Sequence, residues 1–125
     1  MYKINRENLA WAAGFYDGEG CMTCCYDVKN KDGTHYRAIK FVISQSGFVD
    51  LLERFKLIIG FGSIYGPYTK NHKTAKLPRY NIRLSGFEKC QFMIALLWKH
   101  LGDQKRIQAK KQLTGYLEHI NRIKE

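Results

Sequence analysis

The sequence predicts an α+β fold in which four antiparallel strands lie against helices on one face. Two observations support this prediction. Apolar residues recur at helical spacing in some segments and at every second position in others, in the order α-ββ-α-ββ-α-α. No linker or low-complexity stretch interrupts the 125 residues, which favours a single domain over residues 1–125.

The first half of the chain predicts a helix, a hairpin and a second helix. Asn5 is a suitable N-cap, and a helical apolar pattern follows it until Gly18 or Gly20. Residues 21–29 and 36–44 alternate around a turn at residues 31–33, which predicts a β-hairpin. The second helix is expected over about residues 48–59, with an apolar stripe of Leu51, Leu52, Phe55, Ile58 and Ile59.

The second half predicts two more strands and two more helices. The strands are expected over residues 61–68 and 79–84, joined by a turn-rich stretch at 70–76. In the later strand, Tyr80, Ile82 and Leu84 should face inward, with Asn81 and Arg83 outward. The helices are expected over residues 87–100, capped by Ser85, and over residues 103–123, where the pattern is basic and amphipathic.

Charge gives the first indication of a partner. Lys and Arg total 21 against 11 Asp and Glu, so the chain carries +10 and a dimer would carry twice that. Such an excess attracts polyanions and favours a nucleic acid or an anionic membrane surface. A merely basic soluble protein also fits this charge.

The sequence gives little support to a membrane-spanning protein or to a protein held together by disulfide bonds. The longest apolar run, residues 92–98, is far shorter than the ~20 residues that span a bilayer. No signal pattern begins the chain, so we expect an intracellular protein of organellar, bacterial or phage origin with no membrane partner. Three of the four cysteines crowd one segment without a second metal-binding pair, so we predict reduced cysteines on a strand and no zinc.

The predicted sheet should leave one face open, because helices cover only the other. Mixed charged and amide side chains on such a face suit the donors and acceptors of base edges in the DNA major groove. An ordinary solvated sheet face remains the alternative. The predicted contact positions are Thr23, Cys25, Asp27, Lys29, Lys40, Tyr65, Arg79, Asn81 and Arg83.

Two features of the first helix are unusual on physical grounds. Gly14 and Gly18 lie four residues apart, although each costs ~1 kcal/mol relative to alanine inside a helix. Such glycines allow a second backbone to approach closely, although a broken helix would also explain them. Asp17 and Glu19 stand at the helix end, where negative charge opposes the helix dipole. Their oxygens suit Mg²⁺, and a solvated acidic turn is the alternative.

These residues belong to a specific motif. The segment Ala13-Gly14-Phe15-Tyr16-Asp17-Gly18-Glu19-Gly20, with Leu9-Ala10 upstream, resembles the LAGLIDADG motif in its A-G-F-x-D-G-E-G variant. The α-ββ-α-ββ-α order after it is similar to that of the LAGLIDADG homing endonucleases, single-motif type. The resemblance covers nearly the whole chain and implies a saddle-shaped sheet over duplex DNA.

The resemblance also implies roles for individual residues. Glu19, at the second acidic position, would hold a catalytic metal together with the carbonyl of Gly18. Asp17 would support the helix end and the interface. Gln45, from Ser44-Gln45-Ser46, would orient water. Lys105, from Gln104-Lys105-Arg106-Ile107-Gln108-Ala109, would offset developing charge. For the basic residue that some members carry early in the second helix, Arg54 is the candidate.

A single motif implies two copies of the chain. Cutting both DNA strands needs two acidic sites about a two-fold axis, so the resemblance implies a homodimer, a near-palindromic target, and Mg²⁺ with Mn²⁺ able to substitute. The expected interface residues are Ala10, Ala13, Gly14, Asp17 and Gly18.

Two other functions stay open. The chain could be a DNA-binding module that has lost cleavage. It could also be an intron RNA maturase, since the resembled family includes such proteins and Lys105, Arg106, Lys110 and Lys111 offer a basic helical surface to RNA as a secondary partner.

Overall fold

The predicted order of helices and strands is confirmed. The computed structural model describes residues 4–68 and 77–124, without the side chains of residues 25–28, 35–37 and 122–124. The elements are α1 (Arg6–Glu19), β1 (Gly20–Lys29), β2 (His35–Ser46), α2 (Asp50–Ile59), β3 (Ser63–Tyr68), β4 (Arg79–Ser85), α3 (Phe87–Leu97), a 3₁₀ turn (Trp98–His100) and α4 (Asp103–Lys124). The turn predicted at residues 70–76 lies outside the described residues.

The strands form one antiparallel sheet in the order β1-β2-β4-β3. A row of facing residues crosses it from Gly20 to Ile43, to Ile82 and to Ile64. The two central strands, β2 and β4, therefore supply the middle of the apolar face.

All helices contribute to one core against that face. The sheet buries Met22, Ile39, Phe41, Ile43, Ile82 and Leu84. The helices cover these side chains with residues that include Tyr16, Phe55, Met93 and Ala109. Residues one position along each strand, such as Thr23 and Arg83, are exposed on the opposite, open face. Within the described residues, no helix has the length and apolar character to cross a membrane.

The cap predicted for the first helix is confirmed, but Ser85 does not cap α3, whose N-cap is Gly86 without a side-chain hydrogen bond. The side chain of Asn5 accepts a hydrogen bond from the backbone N–H of Asn8 at 2.9 Å, which caps α1. The second helix, however, begins at Asp50 and not at residue 48. Gly47 has a φ of 95°, which turns the chain, and Phe48 is left 75% exposed. Leu51, which was predicted in the apolar stripe of α2, is also exposed, because the buried side of the helix consists of Leu52, Phe55, Ile58 and Ile59.

Among the described cysteines, Cys21 and Cys24 are reduced and lie on β1 as predicted, whereas Cys90 is reduced but lies in α3 and not on a strand. Its side chain is buried, and its thiol lies 3.7 Å from the carbonyl of Leu84. Burial raises the pKa of this thiol to about 12, so it stays protonated and unreactive at neutral pH.

The turn from α1 into β1 gives a stability prediction. A Cβ on Gly20 would lie 2.4 Å from the buried ring of Tyr16. We expect Gly20→Ala to lower the free energy of unfolding by ~1–3 kcal/mol, because the ring has no space to move. Urea unfolding followed by circular dichroism measures the loss.

Gly115→Ala is the matched control for this change. A Cβ on Gly115 would meet nothing within 4 Å, and the glycine lies inside α4. We expect this variant to gain up to ~1 kcal/mol from helix propensity. Equal stability of the two variants would contradict the steric account of Gly20.

Candidate active site

The candidate site lies where α1 becomes β1 without an intervening loop. The helix ends at Glu19, and Gly20 is already the first residue of the strand. The N–H of Gly20 donates to the carbonyl of Tyr16, and the absence of a Cβ lets the Tyr16 ring pack against it. Glu19 is therefore held at a fixed, exposed position between a helix and a strand.

The start of α4 runs beside this junction and is bonded to it at three points. The carboxylate of Asp17 accepts from the N–H of Gly102 at 2.9 and 3.1 Å. The amine of Lys105 donates to the carbonyl of Gly20. The side-chain oxygen of Gln108 accepts from the N–H of Met22 at 3.2 Å. We call these three contacts the α4 seam.

The α4 seam brings Lys105 to the residue next to Glu19. Lys105 is half-buried, and its amine also lies 5.9 Å from the centre of the Tyr16 ring. The Tyr16 hydroxyl is buried without a hydrogen-bond partner among the described residues, and burial raises the pKa of this phenol. The ring beneath Lys105 is therefore neutral, and Lys105 supplies the local positive charge.

Gln45 lies at the same end of the sheet. In the pairing of β1 with β2, Gly20 faces Ile43, so β2 continues past the first residue of β1. Gln45 is two residues further along, half-buried and opposite Tyr80 of β4. Lys105 therefore contacts the residue next to Glu19, and Gln45 lies at the same end of the sheet, two residues beyond the position opposite Gly20.

The oxygens at the end of α1 fit a hard divalent cation. Glu19 offers an exposed carboxylate, and Gly18 offers a backbone carbonyl one residue earlier. Among the described residues, no three His, Cys, Asp or Glu side chains lie close enough together to form a metal site on their own. Mg²⁺ commonly takes one or two carboxylates plus substrate phosphates, so a metal here would need further ligands from outside the chain.

A narrow strip on α1 is left uncovered. Ala10, Gly14 and Gly18 are exposed at four-residue intervals, and a Cβ on either glycine would meet nothing within 4 Å. Ala13, which was expected at the same interface, is fully buried in the core of the chain and does not lie on this strip. Asp17 is half-buried and engaged in the α4 seam.

Arg54 does not join the site. Its guanidinium lies 4.0 Å from the centre of the Trp11 ring, which in turn stacks on Phe15 at 5.2 Å. Trp11 precedes Glu19 by more than two helical turns, which separates them by ~12 Å along the axis. Arg54 therefore connects α2 to the middle of α1.

The open face carries most of the expected DNA contacts. Exposed or half-buried side chains there are Thr23, Lys40, Tyr65, Arg79 and Arg83, and Lys29 is exposed at the end of β1. Asn81 is on this face, but only 7% exposed, because it lies between Ser44 and Tyr65 on the neighbouring strands. The side chains of Cys25 and Asp27 lie outside the described ones.

Sequence reasoning missed Gln108 and Gly102. Both bond to the α1–β1 junction from 85 or 86 residues away in the chain. Gln108 stands in the stretch that nominated Lys105 but was given no role there, and Gly102 stands in no motif.

Known proteins resemble this chain in sequence and in structure. The sequence profile of the LAGLIDADG endonuclease family matches residues 12–112. The probable intron-encoded endonuclease 4 of Neurospora crassa is 31% identical over 85 residues. Those residues are 67% of this chain but only 14% of that relative.

Two solved structures show the same fold. The homing endonuclease I-CvuI in complex with its target superposes with a TM-score of 0.69 at 23% identity, over 88% of this chain and 68% of that one. The group I intron-encoded homing endonuclease I-CeuI, complexed with DNA, superposes with a TM-score of 0.71 at 14% identity, over 98% and 59% of the chains.

The α4 seam gives a second stability prediction. Asp17→Ala removes the acceptor of the Gly102 N–H at the start of α4, so we expect a loss of about 1–2 kcal/mol in unfolding free energy. Asp103→Ala is the matched control, since it removes an exposed carboxylate from the first turn of the same helix. Its loss should be only ~0.5 kcal/mol, from the helix dipole alone. Thermal unfolding measures the stability of both variants. Equal losses in the two variants would contradict the role of Asp17 in the α4 seam.

Proposed function

The chain belongs to the LAGLIDADG endonuclease family, and from this premise we propose that it is a homing endonuclease acting inside the cell. It would hydrolyse both strands of a long, near-palindromic duplex DNA site as a homodimer with Mg²⁺. The observation that carries the proposal is the contact of Lys105 with Gly20, which brings a cation to the residue that follows Glu19.

The chemistry assigned to these side chains follows from their charge and position. Phosphodiester hydrolysis adds negative charge to the phosphate and needs an oriented water. Lys105 would offset the developing charge, and the amide of Gln45 would hold the water in place. Glu19 and the carbonyl of Gly18 would hold Mg²⁺, or Mn²⁺ in its place, which would supply charge relief and help to activate the water.

The proposed homodimer accounts for the strip on α1. Two helices that meet at Ala10, Gly14 and Gly18 can bring their backbones close together, because these positions have almost no side chain. A two-fold axis along that contact sets the two Glu19 residues on either side of it. Two such sites give one for each DNA strand, and each receives the further ligands that a single chain lacks.

The open face supports duplex DNA as the substrate. Lys40, Arg79 and Arg83 lie on it together with the hydrogen-bonding Thr23, and the whole chain carries +10. Cationic and polar side chains on a curved sheet match both the phosphates and the base edges of a groove. DNA affinity should therefore fall steeply with salt.

The cleavage proposal gives a direct prediction. With a randomised duplex library and Mg²⁺, we expect cutting at one near-palindromic consensus, and binding without cutting in Ca²⁺. Glu19→Gln should lower the cutting rate by ~10²-fold or more while binding is retained. Glu53→Gln, which neutralises an exposed carboxylate on α2, should cut as the wild type does.

The outcomes separate the alternatives. Selective duplex binding in both metals, without cutting and unchanged by Glu19→Gln, would contradict the nuclease and leave a silent DNA-binding module. Binding of a structured intron RNA in preference to duplex DNA would instead favour a maturase.

The homodimer gives a separate prediction. A Cβ on Gly14 would meet nothing within 4 Å in the single chain, and the larger side chain of Gly14→Leu would fill the proposed helix contact. We expect sedimentation velocity to show a dimer for the wild type and a monomer for this variant. Ala95→Leu adds three carbons, one fewer than Gly14→Leu, at an exposed position on α3, and should stay dimeric. A monomeric wild type would refute the proposed assembly.

A further inference from the structure

A cavity of about 400 Å³ lies at the border of the open face where β3 begins and β4 ends, and Glu19, Gln45 and Lys105 do not line it. Its walls include Lys40, Arg83 and Lys89, with the hydroxyls of Ser63 and Ser85. We call it the edge pocket. None of the residues that line it takes part in the proposed cleavage chemistry.

The strand register assembles the edge pocket. Lys40 of β2 faces Ser85 of β4, and Arg83 of β4 faces Ser63 of β3. These side chains therefore occupy neighbouring positions on the open face. Lys89 comes from the first turn of α3, which begins two residues after β4 ends.

One of the cations is held in place by an aromatic ring. The guanidinium of Arg83 lies 5.1 Å from the centre of the Tyr65 ring, and Tyr65 also lines the edge pocket. This contact limits the motion of Arg83 without neutralising its charge. The residues that line the pocket include three cations and no carboxylate.

We infer that the edge pocket binds a phosphate of the DNA backbone, and this inference rests on the proposed function. A guanine edge offers two acceptors, which one arginine satisfies, so three cations exceed what a base requires. A phosphodiester carries a full negative charge that several cations and hydroxyls can share. Lys40 and Arg83, expected above to read bases, would therefore fix the position of the duplex.

Lys89 is the residue that tests this inference. The affinity of Lys89→Gln for the selected duplex is measured from 50 to 200 mM salt. The slope of log K against log salt is negative, and loss of one phosphate contact should reduce its magnitude by ~0.9. The base preference should stay unchanged at every position. Lys56→Gln is the control, since Lys56 is exposed on α2, on the helical side of the sheet. It should leave both the salt slope and the base preference as in the wild type.

A chemical change in the DNA provides the second arm. Neutral methylphosphonates are placed one at a time along the flanks of the site. Among the phosphates that the wild type contacts, there should be one where the methylphosphonate weakens binding by the wild type but does not weaken binding by Lys89→Gln any further. Inorganic phosphate alone is titrated against the free protein to detect a site for a small anion.

Each result has a defined meaning. A relaxed preference at one base pair with an unchanged salt slope would overturn the inference in favour of base reading. Saturable binding of inorganic phosphate that Lys89→Gln abolishes, with duplex affinity unaffected, would overturn it in favour of a free anion. Normal duplex binding by Lys89→Gln would refute only the inference that the edge pocket binds a DNA phosphate. Failure of the wild type to bind any duplex would refute the proposed function as well.

Discussion

The attachment of α4 to the α1–β1 junction is the constraint on which the candidate site depends. Asp17, Gly20 and Met22 each bond to a residue in or just before the first two turns of α4, so the helix lies along the junction in one register. Single hydrogen bonds contribute ~1 kcal/mol, or ~1.5–3 kcal/mol where a charged side chain takes part, and three together fix a direction as well as a distance. Lys105 is the middle contact, and its amine therefore reaches the same place in every copy of the chain.

The same junction separates the two uses of α1. One side of the helix, with Ala12, Ala13 and Tyr16, is buried against the sheet, while Ala10, Gly14 and Gly18 remain uncovered. Because α1 passes directly into β1, its acidic end, its uncovered strip and the edge of the open face meet at one place. A partner helix, a metal and a DNA strand can therefore share that place. The edge pocket lies elsewhere on the sheet. It would fix the position of the DNA duplex and would not take part in phosphodiester hydrolysis.

Most of the fold was predictable because its causes are local. Apolar periods of two and 3.6 residues identify each strand and helix, and the open face follows from their order. The errors arise where contacts outside the segment decide. Ala13 and Ala10 look alike in the sequence, and only packing puts Ala13 in the core. Asn81 faces outward as predicted but is covered by its neighbours on both strands. Gln108 bonds to Met22, 86 residues away along the chain, and no pattern in the sequence records that contact.

In the proposed enzyme, each copy of the chain carries its own set of Glu19 and Lys105, because Lys105 bonds to Gly20 of the same chain. The most direct test compares two heterodimers, each purified through two different tags. The first carries Glu19→Gln in one copy and Lys105→Met in the other, and the second carries both changes in one copy beside a wild-type copy. Cleavage of each DNA strand is followed separately in Mg²⁺. If Glu19 and Lys105 act within one chain, the first heterodimer cuts neither strand and the second cuts one strand. Cutting of one strand by the first heterodimer and of neither strand by the second would contradict this assignment.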